Sequence, residues 1–233
     1  MAKLHGLFTR QEVKDGSTMT RRTRPSSVVS AETLQAIGLK GIRGMNPKAH
    51  TQRMDPSGSK RPLVLVLGEF PNRDDDSAGK PFSGDVGREL RKYIPGRYGK
   101  KVAFDNIVRT NPPQGRLPNF TEIECYRLSV IEDIERLKPK IIVGAGSLTL
   151  HWALGQSFSI RQCRGKRFPI RVGKHECWFY PILHPSYIVK NLKSDKYKEQ
   201  QEGRQWRPVL KRDLQRAFHD LDGIEDPIIL EKD

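Results

Sequence analysis

Four short apolar runs, separated by helical patterns and polar stops, constrain this chain more than any other feature. "PLVLVLG" (62–68) is continuously hydrophobic and ends at Gly68, the pattern of a strand buried on both faces of a parallel sheet. "VAFDNIV" (102–108), "IIVGAG" (141–146) and "CWFYPIL" (177–183) repeat it. Between them, "TEIECYRLSVIEDIERLKPK" (121–140) carries Ile123, Val130, Ile131, Ile134 and Leu137 at helical spacing. Thr121 and Glu124 form its expected capping box, and Pro139 its stop. "SLTLHWALG" (147–155) and "WRPVLKRDLQRAFHDLDG" (206–223) read as further helices. Strand alternating with helix implies an α/β fold around a central, mainly parallel four-stranded sheet.

The ends of the chain differ from this middle. Residues 1–60 are basic and polar, with "TRRTRPSS" (20–27) as a phosphate-seeking stretch and one short helix expected in 30–41. The expected organisation is a basic arm (1–60), an α/β domain (61–223) and a short tail (224–233). The 42 Lys and Arg against 27 Asp and Glu give a net charge of +15, which points to a polyanionic partner, nucleic acid before an anionic membrane. No apolar run reaches the roughly 18 residues a membrane span requires. Cys125, Cys163 and Cys177 are odd in number and lack C-x-x-C spacing, which argues against a disulfide framework and a four-cysteine metal site. The N-terminus has no secretory apolar segment, so a cytoplasmic location is expected. Nothing in the sequence calls for an obligate protein partner.

In an open parallel sheet, ligands bind beyond the carboxyl ends of the strands. Three polar clusters fall there: "GEFPN" after the first strand, "NIVRTNPP" after the second and "HPS" after the fourth. The first runs into "RDDDSAGKPFSG", an acidic loop on a basic chain. That contrast suits a reaction centre that needs carboxylates beside a surface that attracts phosphate.

These motifs resemble those of the uracil-DNA glycosylase superfamily, over residues 62 to about 220. "GEFPNRDDDSAGKPFSGDVG" is similar to the family's G-E-[AG]-P-G…G-x-P-F-x-G-x-x-G, and "DNIVRTNPP" to N-V-V-K-C-x-P-P. "LKPKIIVGAGSLTLHWALG" and "PILHPSYIV" follow in the family's order. The nearest class is the iron–sulfur one, family 4. The resemblance implies a three-layer α/β/α fold and an enzyme acting on DNA by flipping a pyrimidine out of the helix. It implies that Glu69 orients or deprotonates the attacking water, and that His184 stabilises charge on the departing base. Phe82 would stack on the base, Asn106 would read its edge, and Asp75, Phe70 and Asn72 would shape the pocket. Ser83, Arg109, Ser186, Tyr187 and Lys190 would contact the DNA.

The sequence also departs from the family. The segment before residue 60 has no cysteine, and Thr110 stands where N-V-V-K-C has its cysteine, so no iron–sulfur cluster or other metal is expected. Phe70 and Asn72 replace small residues, and Asp75 stands where Glu is usual. Loss of one methylene there would leave room at C5, a difference worth only ~1–3 kcal/mol. Two substrates therefore stay open: uracil, or a 5-modified cytosine such as the hydroxymethylated or glucosylated base of phage DNA. The second would make the protein a defence factor rather than a repair enzyme. A non-catalytic DNA-binding member and a small-molecule nucleoside hydrolase are the competing classes.

Overall fold

The computed structural model describes residues 51–229. Most of the expected arm, including the helix placed in 30–41, and the end of the tail lie outside the described residues. Six strands form one sheet: β1 (Ser57–Gly58), β2 (Val64–Gly68), β3 (Val102–Asn106), β4 (Ile141–Ala145), β5 (Phe168–Val172) and β6 (His175–Ile182). Their order is β1-β3-β2-β4-β6-β5. The helices, in chain order, are α1 (Arg73–Ala78), α2 (Asp85–Arg91), α3 (Phe120–Leu137), α4 (Ser147–Leu154), α5 (Ile160–Cys163), α6 (Pro185–Leu192) and α7 (Tyr197–Asp220).

The four strands expected from sequence are the parallel centre, β3-β2-β4-β6. Two antiparallel edges extend it, β1 on β3 and β5 on β6, so the sheet has six strands rather than four. Neither edge carries a central-strand pattern. β1 has two residues, and β5 reads "FPIRV", with a proline that only an edge strand tolerates.

Alternation along the inner strands builds two cores. Leu65, Leu67 and Ile142 pack with Tyr126, Val130 and Ile134 of α3 and Leu150 of α4. Val64, Val66, Ile141 and Val143 pack with Leu90 of α2, Ile188 of α6 and Leu210, Leu214 and Phe218 of α7. A sheet covered on both faces needs strands apolar on both faces, and that made these strands legible. The arrangement is α/β with three layers.

The helices α2, α5 and α6 are additional to those expected from sequence, and α1, α3 and α7 depart from expectation. The acidic stretch after β2 is a helix, α1. Asn72 caps it by accepting the Asp75 amide at 3.0 Å, and Asp75 accepts the Asn72 amide at 3.1 Å. Acidic residues in a first turn also suit the helix dipole. α3 is capped by Asn119 and Glu122 at 2.8–2.9 Å, not by Thr121 and Glu124. Glu124 instead pairs with Arg127. α7 begins at Tyr197 and passes through Pro208, well before the expected start at 206.

Candidate active site

β2 exits toward β3 on one side, and β4 leads on to β6 on the other, so the carboxyl ends of β2 and β4 meet at the point where the strand order reverses. Such a point opens a crevice. A cleft of about 240 Å³ lies there, lined by Glu69, Gly146, Ser147, Leu183, His184 and Tyr187, with Ile160, Arg161 and Trp206 on its walls.

Glu69 follows the last residue of β2. Its Oε1 accepts the Leu148 amide at 2.9 Å, at the start of α4. Burial raises the Glu69 carboxyl above the ordinary glutamate range, while the Leu148 and Ser147 amides pull it back. A carboxylate buried beside a helix N-terminus is fixed in place and more basic than a surface glutamate.

His184 ends the β6 exit and caps α6. Its Nδ1 lies 2.6 Å from Ser186 Oγ and 3.2 Å from the Ser186 amide nitrogen. An amide nitrogen only donates, so Nδ1 is the acceptor, and a neutral ring carries its proton on Nε2. Burial lowers the His184 pKa to about 4. At neutral pH the cleft therefore contains a neutral imidazole whose Nε2–H is a donor.

Phe82 and Asn106 meet at Gly68. A Cβ added to Gly68 would lie 2.3 Å from Asn106 Oδ1 and 2.6 Å from Phe82 Cζ, so only glycine lets both side chains approach the strand end. Asn106 is opposite Gly68 in the β2–β3 register. Phe82 is only 4% exposed, and its ring packs on Phe104 at 5.7 Å. Its backbone has φ +58°, an uncommon state for a non-glycine residue. Two bonds hold it there: Asp75 Oδ1 accepts the Ser83 amide at 2.6 Å, and Arg91 Nη1 donates to the Phe82 carbonyl at 2.6 Å.

The remaining expected residues divide. Tyr187, 41% exposed, lines the cleft and donates to Glu202 at 2.8 Å. Lys190 is exposed on α6. Ser186 is bonded to His184, and the Ser83 hydroxyl to the Lys80 carbonyl. Phe70 is half-buried against the α3 side of the core. Asp75 and Asn72 are engaged with each other and with Ser83, as parts of the α1 cap. Arg109 is buried rather than presented at the surface: 0% exposed, it donates to Asp105 at 2.7 Å and Asp133 at 2.6 Å. A guanidinium held between two carboxylates inside the protein cannot also contact a phosphate. Ile160, Arg161, Leu183 and Trp206 carry no sequence signal for the cleft, because they come from three separate segments with no shared pattern.

The residues at the family's cluster position do not fit a four-thiolate group. The Thr110 hydroxyl is buried 3.1 Å from Tyr126 Oη. Cys125, Cys163 and Cys177 are free buried thiols on α3, α5 and β6. Burial raises all three, Cys163 to about 11, which disfavours the thiolate that iron requires. Among the described residues no group of three or more His, Cys, Asp or Glu is placed to hold a metal. None of the described helices is long and apolar enough to cross a membrane.

Comparison with known proteins agrees with this geometry. The Uracil DNA glycosylase superfamily matches residues 56–206. A Type-4 uracil-DNA glycosylase of Pyrobaculum aerophilum is 35% identical over 134 residues, 54% of this chain and 68% of that protein. One from Sulfurisphaera tokodaii is 28% identical over 148 residues, 60% of this chain and 67% of that protein. The chain is also similar to a stretch of the DNA polymerase of Bacillus phage SP01, 29% identical over 159 residues, 66% of this chain and 16% of that polymerase.

Proposed function

The chain belongs to the uracil DNA glycosylase superfamily, and on that premise we propose that it is a monofunctional DNA glycosylase that removes uracil by hydrolysis. The observation that carries this reading is the meeting of an anchored Glu69 and a neutral, Nε2-protonated His184 in one cleft. Water attacks C1′ of a flipped nucleotide, and the Glu69 carboxylate orients it and takes its proton. The electrons of the C1′–N1 bond pass to the base. Charge grows on its O2, where the His184 Nε2–H donates. A donor aimed at charge that develops only in the transition state lowers the barrier without tightening ground-state binding. Phe82 provides a ring against the base and Asn106 an amide for its edge. Among the described residues that line the cleft there is no lysine, and none of them offers a nucleophile for Schiff-base lyase chemistry.

The case for a 5-modified cytosine weakens, because it rested on Asp75 as a pocket wall. Both Asp75 oxygens accept main-chain amides, from Asn72 and Ser83. Uracil is the base we propose, and base excision repair the role it serves.

The test is base release from two DNAs, one carrying uracil and one carrying hydroxymethylated cytosine, each followed by alkaline cleavage. Cleavage at uracil alone supports this reading. Cleavage of the modified DNA alone would replace it with the defence reading. Tight DNA binding with neither product would return the non-catalytic one.

A further inference from the structure

The solvent face of α7 has no part in the cleft chemistry, yet it carries a shallow, open groove along this one helix, lined by Pro208, Lys211, Arg212, Gln215, Arg216 and His219. Trp206, two residues before Pro208, walls the catalytic cleft. At 3.6 residues per turn these two point about 200° apart, so the groove is on a different side of the helix from the cleft.

Its charge is only partly neutralised locally. Asp213 lies on the inner side of α7, and its two oxygens are taken by Arg164 at 2.6 Å each. Asp220 accepts from Tyr180 at 2.8 Å and has Arg167 at 3.6 Å. Arg216 reaches the Gly165 carbonyl at 2.5 Å, with Asp220 at 3.9 Å. Lys211 and Arg212 are exposed and make no ion pair with a described residue. His219 is exposed, 3.6 Å from Asp220. Asp213 is thus held from beneath and Asp220 is shared with the outer face, which leaves Lys211 and Arg212 facing water.

We propose that this groove is a second DNA site, which holds the phosphate backbone of the substrate away from the flipped nucleotide. Lys211, Gln215 and His219 form one ridge and Arg212 and Arg216 another, at one-turn spacing. With a rise of 1.5 Å per residue, residues 208–219 extend over about 16 Å. One strand of B-DNA carries a charge every 3.4 Å of axis, so the groove matches about four or five phosphates. Exposed cations on a rigid helix contact phosphate without reading sequence, and serve a protein that must hold undamaged DNA while it searches. The inference takes its partner from the proposed DNA substrate, but its test needs no base release.

The experiment measures binding of a uracil-free 30-base-pair duplex by fluorescence anisotropy at 50–200 mM KCl. It compares the full chain with Lys211→Gln and with the Lys211→Gln, Arg212→Gln, Arg216→Gln triple variant. The slope of log affinity against log salt should fall by about 1 for the single variant and about 2–3 for the triple, since each phosphate contact contributes about 0.9. Binding of a single-stranded hexamer should stay unchanged. Unchanged slopes would overturn the proposal, as would equal weakening on the hexamer. So would Lys211→Gln losing binding to phosphatidylserine vesicles while its DNA slope stayed the same. Lys211 makes no ion pair with a described residue, so its replacement leaves the fold intact even if the triple variant is unstable.

Discussion

The Glu69 carboxylate accepts the main-chain amide of Leu148 at 2.9 Å, across 79 residues of sequence. The bond ties the exit of β2 to the first turn of α4 and fixes the carboxylate within the cleft. The approach is close: a Cβ on Gly146 would lie 2.2 Å from Glu69 Oε1, and Gly146 has φ +102°. Burial makes this carboxylate basic, and it also makes its ionised form costly to the fold.

That cost gives the first prediction. The Glu69 pKa is raised in the folded protein, so its contribution to stability is complete below the unfolded value, about 4.3, and is lost as pH rises through the folded value. Glu69→Gln should therefore melt higher than wild type at pH 7 and match it near pH 4. A lower melting temperature at pH 7 would mean that the charge stabilises the fold.

His184 behaves in the opposite sense. With its pKa lowered to about 4, the ring stays neutral in the fold while an unfolded histidine takes up a proton near 6.5. Its contribution to stability is present above about 6.5 and is lost as pH falls toward 4. The rate of base release should then show no inflection near pH 6.5. Ser186→Ala, which removes the hydroxyl 2.6 Å from Nδ1, should lower kcat about tenfold with little change in KM, since a loosened donor affects the transition state most.

Asp75 can be tested as a helix cap against a wall of the base pocket. Because it holds Asn72 and the Ser83 amide, Asp75→Glu should leave discrimination between uracil and 5-substituted pyrimidines within about twofold, well below the 10-fold or more that a methylene wall can provide. Asp75→Ala should destabilise the protein by about 1–3 kcal/mol in urea unfolding, from two half-buried amides left unpaired. A change in base preference from either variant would put Asp75 back in the pocket wall.

Arg109→Met leaves Asp105 and Asp133 facing each other without their cation. Breaking a buried pair from one side costs about 3–5 kcal/mol, measurable as a lower urea midpoint. The salt slope of DNA binding should not move. A slope reduced by about 1 with stability intact would place Arg109 at the DNA.

The sequence is most legible where both faces of an element are buried. β2, β3, β4 and β6 stand out because the cores on either side of the sheet require continuous apolar runs, and α3 because its stripe faces one core. α1 was read as a loop because "RDDDSA" has no apolar stripe; Asn72 and Asp75 stabilise it through its cap. The start of α6 had a signal that went unused, a proline in its first turn after the His184 cap. Arg109 was misjudged for another reason. Charge normally marks the surface, and only the fold brings Asp133, 24 residues away, against it. Within the cleft, Glu69 and His184 are legible at strand ends. The cleft walls Arg161 and Trp206 are not, since α5 and α7 reach the cleft only through tertiary packing.

Glu69 is proposed to act on water, while DNA binding depends on other residues. Single-turnover uracil release by Glu69→Gln, with enzyme in excess over a uracil duplex, tests it most directly. Loss of a positioned general base costs about 10²–10⁴-fold in rate, and Glu69→Gln should lose rate in that range with Kd for the duplex unchanged. Release within threefold of wild type would contradict it and move the water-activating role away from Glu69.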